Sequence, residues 1–121
     1  MNLIFDALQV SCSQAMDGEL CRVNFDASLS DDDELDRKIP YFSIGRNFEF
    51  PGGPTIEWHD GERYSGGGKI TAMKLGREKI NLRTSRSDAF SITFTLQDCE
   101  FSELREYLEN IMRGTNCYET E

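Results

Sequence analysis

The chain has 121 residues, 38% hydrophobic and 11% aromatic, which suits one globular domain with one core and does not suit a disordered polyelectrolyte. Its 22 acidic side chains outnumber 13 basic ones, for a formal charge of −9, and this argues against wholesale wrapping of a nucleic-acid backbone. No stretch approaches the ~18 uninterrupted apolar residues of a membrane span.

At the start, Met1 to Asp6 has no basic region, and Asp6 interrupts the only apolar run, so no secretory signal is read there. Leu8-Gln9-Val10-Ser11-Cys12 has the outline of a lipoprotein cleavage box without the hydrophobic segment that should precede it. Cys12, Cys21, Cys99 and Cys117 form no C-x-x-C pair, and His59 is the only histidine, so a structural zinc site is not expected. Cys12 and Cys21 can face each other across a hairpin, but reduced thiols in a cytoplasmic protein are the expectation.

Strands dominate the first three quarters. Leu8, Val10 and Cys12 alternate with polar residues, as do Cys21, Val23, Phe25 and Ala27, and Asp17-Gly18 is a good turn between them. Ser28 to Lys38 holds Asp31-Asp32-Asp33-Glu34 and reads as a loop or short helical turn, because four adjacent like charges do not suit a strand. Ile39 to Ile44 is a third strand, Phe50 to Pro54 a Gly/Pro bend, and Thr55 to Trp58 a short fourth strand. His59 to Gly68 reads as a polar loop ending in three glycines that allow positive φ or close backbone approach. Ile70 to Leu75, Lys79 to Thr84 and Phe90 to Leu96 are three further strands.

The period then changes. Phe101, Leu104, Leu108, Ile111 and Met112 make one helical stripe, with Asp98 as the expected N-cap and Arg113-Gly114 as the stop. The predicted fold is α+β: an antiparallel meander of six or seven strands in a single domain, 1–121, with one C-terminal amphipathic helix across a face.

Charge is segregated. Eight acids and one base lie between Asp17 and Asp36, and seven acids and two bases from Asp98 onward; Arg37 to Gln97 holds ten bases and six acids. The acidic segments suit electrostatic docking of a cationic partner, or simply a solvated surface. Asp31 to Glu34 lacks the alternate spacing and turn glycine of an EF-hand loop. Glu57, His59, Asp60 and Glu62 cluster near Trp58, but the carboxylates beyond the strand have no evident frame to fix them, which disfavours catalysis. An exposed interaction edge of Trp58, Arg63 and Tyr64 is the stronger reading, with a core tryptophan as its rival.

Gly66-Gly67-Gly68-Lys69 lacks phosphate-loop spacing and precedes a strand, so it is rejected as a phosphate loop. Arg63, Lys69, Lys74, Arg77, Lys79, Arg83 and Arg86 form a basic strip; with Phe42, Phe48 or Trp58 for stacking, it offers an alternative function as a small β-rich ligand or single-stranded nucleic-acid binding module. Lys79 and Arg83 share the face opposite Ile80 and Leu82.

Tyr41-Phe42-Ser43-Ile44-Gly45-Arg46, Thr55-Ile56-Glu57, Asp60, Tyr64, the glycines before Ile70, and Leu75-Gly76-Arg77-Glu78-Lys79-Ile80 together resemble the immunity protein 10 family of bacterial polymorphic toxin systems. The acidic segment Gln97 to Leu104 resembles that family's C-terminus, and the likeness covers about residues 39–113. Gly45-Arg46 stands where the family has Gln-Arg, Asp60-Gly61 where it has Asp-Gln, and Gly66-Gly67-Gly68 where it has Tyr-Gly-Gly. The resemblance implies a non-enzymatic cytoplasmic protein that neutralises a cognate toxin C-terminal domain by occlusion, and acidity suits a cationic nuclease as that toxin. Asp31, Asp32, Asp33, Glu34, Glu57, Trp58, Asp60, Glu62 and Tyr64 are the expected docking residues. No cofactor, metal, membrane or direct nucleic-acid partner is expected, and the chain is expected to be a monomer or weak homodimer.

Overall fold

A computed structural model describes residues 1–28 and 39–120. Ten strands and one helix follow in the order β1 (Asn2–Ala7), β2 (Gln9–Ala15), β3 (Leu20–Asp26), β4 (Tyr41–Asn47), β5 (Thr55–His59), β6 (Tyr64–Gly66), β7 (Ile70–Leu75), β8 (Lys79–Thr84), β9 (Ala89–Phe94), α1 (Asp98–Ile111) and β10 (Tyr118–Thr120). The fold is α+β, as expected, but the single meander of six or seven strands is replaced by two five-stranded sheets. One sheet has the order β1-β9-β8-β7-β10, and the other is the meander β2-β3-β4-β5-β6.

The physical reason is the amount of apolar surface. Leu3, Phe5, Ala7, Ile80, Leu82, Phe90, Ile92 and Phe94 line one inner face, and Val23, Phe25, Phe42, Ile44, Ile56 and Trp58 line the other. A 14-residue helix cannot cover both sets, whereas two sheets packed face to face cover each other. Aromatic rings make the contact: Phe25 and Phe94 are 6.1 Å apart between centroids, Phe42 and Phe90 4.8 Å, and Trp58 and Phe90 4.9 Å.

Two short crossings join the layers. Leu8 alone separates β1 from β2, so one long N-terminal strand bends from the first sheet into the second and leaves Leu8 exposed at the corner. Gly67 and Gly68, with φ of +90° and +83°, carry the chain back from β6 to β7. Arg86 packs on both and donates from Nη1 to the carbonyl oxygen of Gly66 at 3.2 Å. The triple glycine thus serves close backbone approach to an arginine.

The first sheet is mixed. β7, β8 and β9 form the predicted antiparallel unit, but β1 pairs parallel to β9 and β10 parallel to β7. The β2–β3 hairpin forms across the turn at Met16 to Gly18, with Cys12 opposite Val23 and Cys21 opposite Gln14. Burial and the nearby Glu103 carboxylate push the Cys12 thiol up to about 12. The expected loop from Ser28 to Lys38, with its acidic run Asp31 to Glu34, lies outside the described residues except for Ser28.

Helix α1 carries the predicted stripe, with Leu104, Leu108 and Ile111 fully buried against β2 and β3. Gln97 is the N-cap in place of Asp98: its backbone N–H donates to Glu100 Oε1 at 2.9 Å. Arginines from the sheets hold both ends. Arg77 donates to the Leu96 carbonyl at 2.7 Å and to Asp98 at 3.0 Å, while its guanidinium covers the Phe101 ring. Arg46 donates to the carbonyls of Ile111 at 3.0 Å and Arg113 at 2.6 Å, supplying partners that a helix C-terminus lacks.

Leu108→Ala is expected to destabilise the protein by roughly 2–4 kcal/mol through a cavity between helix and sheet, while Glu109→Ala on the exposed side changes little. Denaturant melts giving equal losses for both would show that the stripe does not carry the helix–sheet packing.

Candidate functional site

Alternation in the β2–β6 sheet sends one set of side chains into the core and the other onto the outer face. The registers place Asp26, Tyr41, His59 and Tyr64 in one row across β3, β4, β5 and β6. Asn24, Ser43, Glu57 and Gly66 form the next row, and Arg22, Gly45 and Thr55 the third. Residues scattered over 40 positions in the chain become one patch.

Glu57 is its centre. Arg22 Nη1 donates to Glu57 Oε1 at 3.3 Å and to Ser43 Oγ at 2.8 Å, and the Tyr64 hydroxyl donates to Glu57 Oε2 at 2.7 Å. Ser43, only 2% exposed, forms the floor. Gly66 stands opposite Glu57, where a Cβ would lie 3.0 Å from the Ile56 carbonyl oxygen and 3.3 Å from Glu57 Cβ. The bare backbone there leaves room for the carboxylate to meet both donors at once.

Beside this network Tyr41 and His59 stack, with centroids 6.0 Å apart and planes at 25°. His59 Nδ1 accepts from the Gly61 N–H at 3.0 Å. The following turn is fixed by Asp60, whose Oδ1 accepts from the N–H groups of Glu62 and Arg63, both at 2.8 Å. The Arg63 and Glu62 N–H groups hold the Asp60 carboxyl below the usual carboxylate range. The expectation of an unframed loop is therefore corrected: Asp60 ties the turn, and β6 pairs with β5 directly after it.

The structure divides the predicted docking residues. Glu57 and Tyr64 meet in one hydrogen bond, and Asp60 and Glu62 occupy the adjoining turn. Trp58 is 3% exposed and packs edge-on against Phe90, so its reading as an exposed anchor is corrected to a core residue. Asp31, Asp32, Asp33 and Glu34 lie outside the described residues. Arg22, Tyr41 and Ser43 were not singled out as site residues; the alternation of Arg22 with Cys21 and Val23 signals that it points outward, but not that it meets Glu57.

The basic strip also divides. Arg77 and Arg86 are tied to backbone carbonyls, and the proposed stacking rings are not displayed: Phe42 and Trp58 are buried, and Phe48 lies under the guanidinium of Arg46. Among the described residues, no three His, Cys, Asp or Glu side chains come together as a metal site, and no helix is long and apolar enough to cross a membrane. No family model, curated protein or solved structure matches the chain.

The hydrogen bond to Glu57, followed by its charge, raises the Tyr64 pKa above its ordinary value. The folded state thus holds this proton longer than the unfolded chain, so the bond supports folding below about pH 10 and loses that role as pH rises through the tyrosine's titration. Glu57→Gln is expected to lower the Tyr64 pKa toward the ordinary value, read by tyrosinate absorbance against a Tyr64→Phe control. An unmoved titration would separate the two groups in solution. Trp58→Ala is expected to cost about 3–5 kcal/mol of stability, measured by thermal or denaturant melts, because it empties an aromatic core position.

Proposed function

We propose that this is a non-enzymatic immunity-type protein, acting in the cytoplasm, that neutralises a cognate toxin domain by covering its active or substrate-binding surface. The observation that carries the reading is the Glu57 carboxylate held between Arg22 and Tyr64 on the outer face of the meander sheet. Catalysis and protein docking both need fixed groups, but among the described residues this patch has no nucleophile–base pair, and its His59 is engaged with the backbone of its own turn. Its mixture of a carboxylate, an arginine and exposed tyrosine suits a protein partner, since Tyr and Arg anchor interfaces and preset charges select partners.

The resemblance noted in the sequence adds support, because its dispersed residues Tyr41, Ser43, Glu57, Asp60, Tyr64 and Gly66 converge on this face and its adjoining turn. A chain of net charge −9 is suited to a cationic toxin such as a nuclease, whose phosphate-binding surface carboxylates can occupy.

Co-expression with the toxin encoded immediately upstream is expected to restore growth. Glu57→Lys is expected to abolish that protection while the protein stays folded, because it sets a cation beside Arg22 and against a basic partner. Replacing Asp31, Asp32, Asp33 and Glu34 by Asn and Gln is expected to slow association about tenfold and flatten its salt dependence, since peripheral charges govern encounter. Full protection by both folded variants would remove this face and the acidic run from the docking surface.

A further inference from the structure

The outer face of the β1-β9-β8-β7-β10 sheet has a different chemistry. Ile80 and Leu82 point into the core, so Lys79, Asn81 and Arg83 point outward. Lys74 on β7 and Ser91 on β9 stand on either side of Asn81. Asn81 therefore lies within a basic triangle, with Lys79 and Arg83 roughly 7 Å away along its own strand and Lys74 about 5 Å away on the next.

Among the described residues, the side chains of Lys74, Lys79 and Arg83 make no ion pair or hydrogen bond. The carboxylate of Asp6, at the margin of this face, accepts instead from the Thr93 hydroxyl at 2.7 Å. Four arginines elsewhere, Arg22, Arg46, Arg77 and Arg86, are each spent on a carbonyl or carboxylate of the fold.

A cavity of about 610 Å³ lies over this face, within the roughly 300–1,000 Å³ common for small-molecule sites. One row of its lining runs across the sheet as Ile4, Ser91, Asn81, Lys74 and Glu119, with Arg83 beside Asn81 on β8 and Ile4, 75% exposed, as the apolar end. Among its described lining residues Glu119, opposite Lys74 on β10, is the only acid. Ile4 is two strands from Asn81, roughly 10 Å, a span that a phosphate alone cannot bridge.

The volume of the cavity, about 610 Å³, accommodates a small molecule. A single nucleic-acid strand needs aromatic platforms for successive bases, and among the described residues no Phe, Trp or Tyr side chain of these strands points outward, Tyr118 of β10 standing beside the buried Met73. We propose that it binds a small phosphate ester bearing a heterocycle, of mononucleotide size. The phosphate sits between Lys74 and Arg83, Asn81 and Ser91 supply polar contacts, and the ring rests on Ile4. This site is independent of the docking face on the other sheet.

The test is an amide NMR titration of the full chain with each of the four ribonucleoside 5′-monophosphates. Inorganic phosphate, the free nucleosides and a ten-residue thymidine oligonucleotide serve as comparisons. At least one nucleotide is expected to give saturable shifts at Asn81, Arg83 and Ser91 with Kd below about 1 mM, and to bind at least about tenfold tighter than phosphate or its nucleoside. The double variant Lys74→Gln, Arg83→Gln is expected to lose about tenfold or more in affinity. Ile4→Ser is expected to weaken the nucleotide but not phosphate, and Arg105→Gln on the helix to change neither. The proposal is overturned if no nucleotide saturates by about 10 mM, if the double variant binds unchanged, or if the oligonucleotide binds tenfold tighter than every mononucleotide.

Discussion

Phe90 makes the contact on which both outer faces depend. Its ring lies 4.8 Å from Phe42 and 4.9 Å from Trp58, at tilted and edge-on angles that aromatic quadrupoles favour, so one side chain of β9 ties down β4 and β5 of the opposite sheet. Once that ring faces inward, the period of two decides the rest. Ile92 and Phe94 join it in the core while Ser91 and Thr93 face out, and across the interface Ile56 and Trp58 enter while Glu57 and His59 do not. A slip of one residue in β5 would bury a carboxylate and expose a tryptophan, a cost large enough to exclude it.

Three arginines tie backbone segments that have no ladder partner. Arg77 and Arg46 hold the two ends of α1, and Arg86 seals the glycine crossing between the sheets. A planar fork of donors suits such tasks better than a lysine ammonium, because one guanidinium can reach two carbonyls while lying on a ring, as Arg46 does over Phe48. A count of basic residues along the chain therefore overstates the cationic surface. Three other cations of the strip, Lys74, Lys79 and Arg83, share one face, opposite in the sandwich to the Glu57 network.

This arrangement separates two chemistries without a second domain. The meander sheet presents a preset carboxylate beside aromatic rings, and the mixed sheet presents cations and an amide over a shallow cavity. Each sheet insulates its outer face from the other through a shared core about 10 Å thick, so either surface can be altered without disturbing the other's register.

Local alternation was enough to read most strands, the β2–β3 hairpin, the buried stripe of α1 and the shared face of Lys79 and Arg83 opposite Ile80 and Leu82, because side-chain direction follows from backbone geometry alone. β1 escaped notice since Ile4, apolar yet outward, masks the alternation of Leu3, Phe5 and Ala7. β6 and β10 have three residues each, too few to show a period. The division into two sheets, the parallel edges, the burial of Trp58 and the meeting of Arg22 with Glu57 were decided only in the tertiary structure. Those features depend on which strands become neighbours: Arg22 and Glu57 are 35 residues apart, and nothing local to either one specifies the other as its partner.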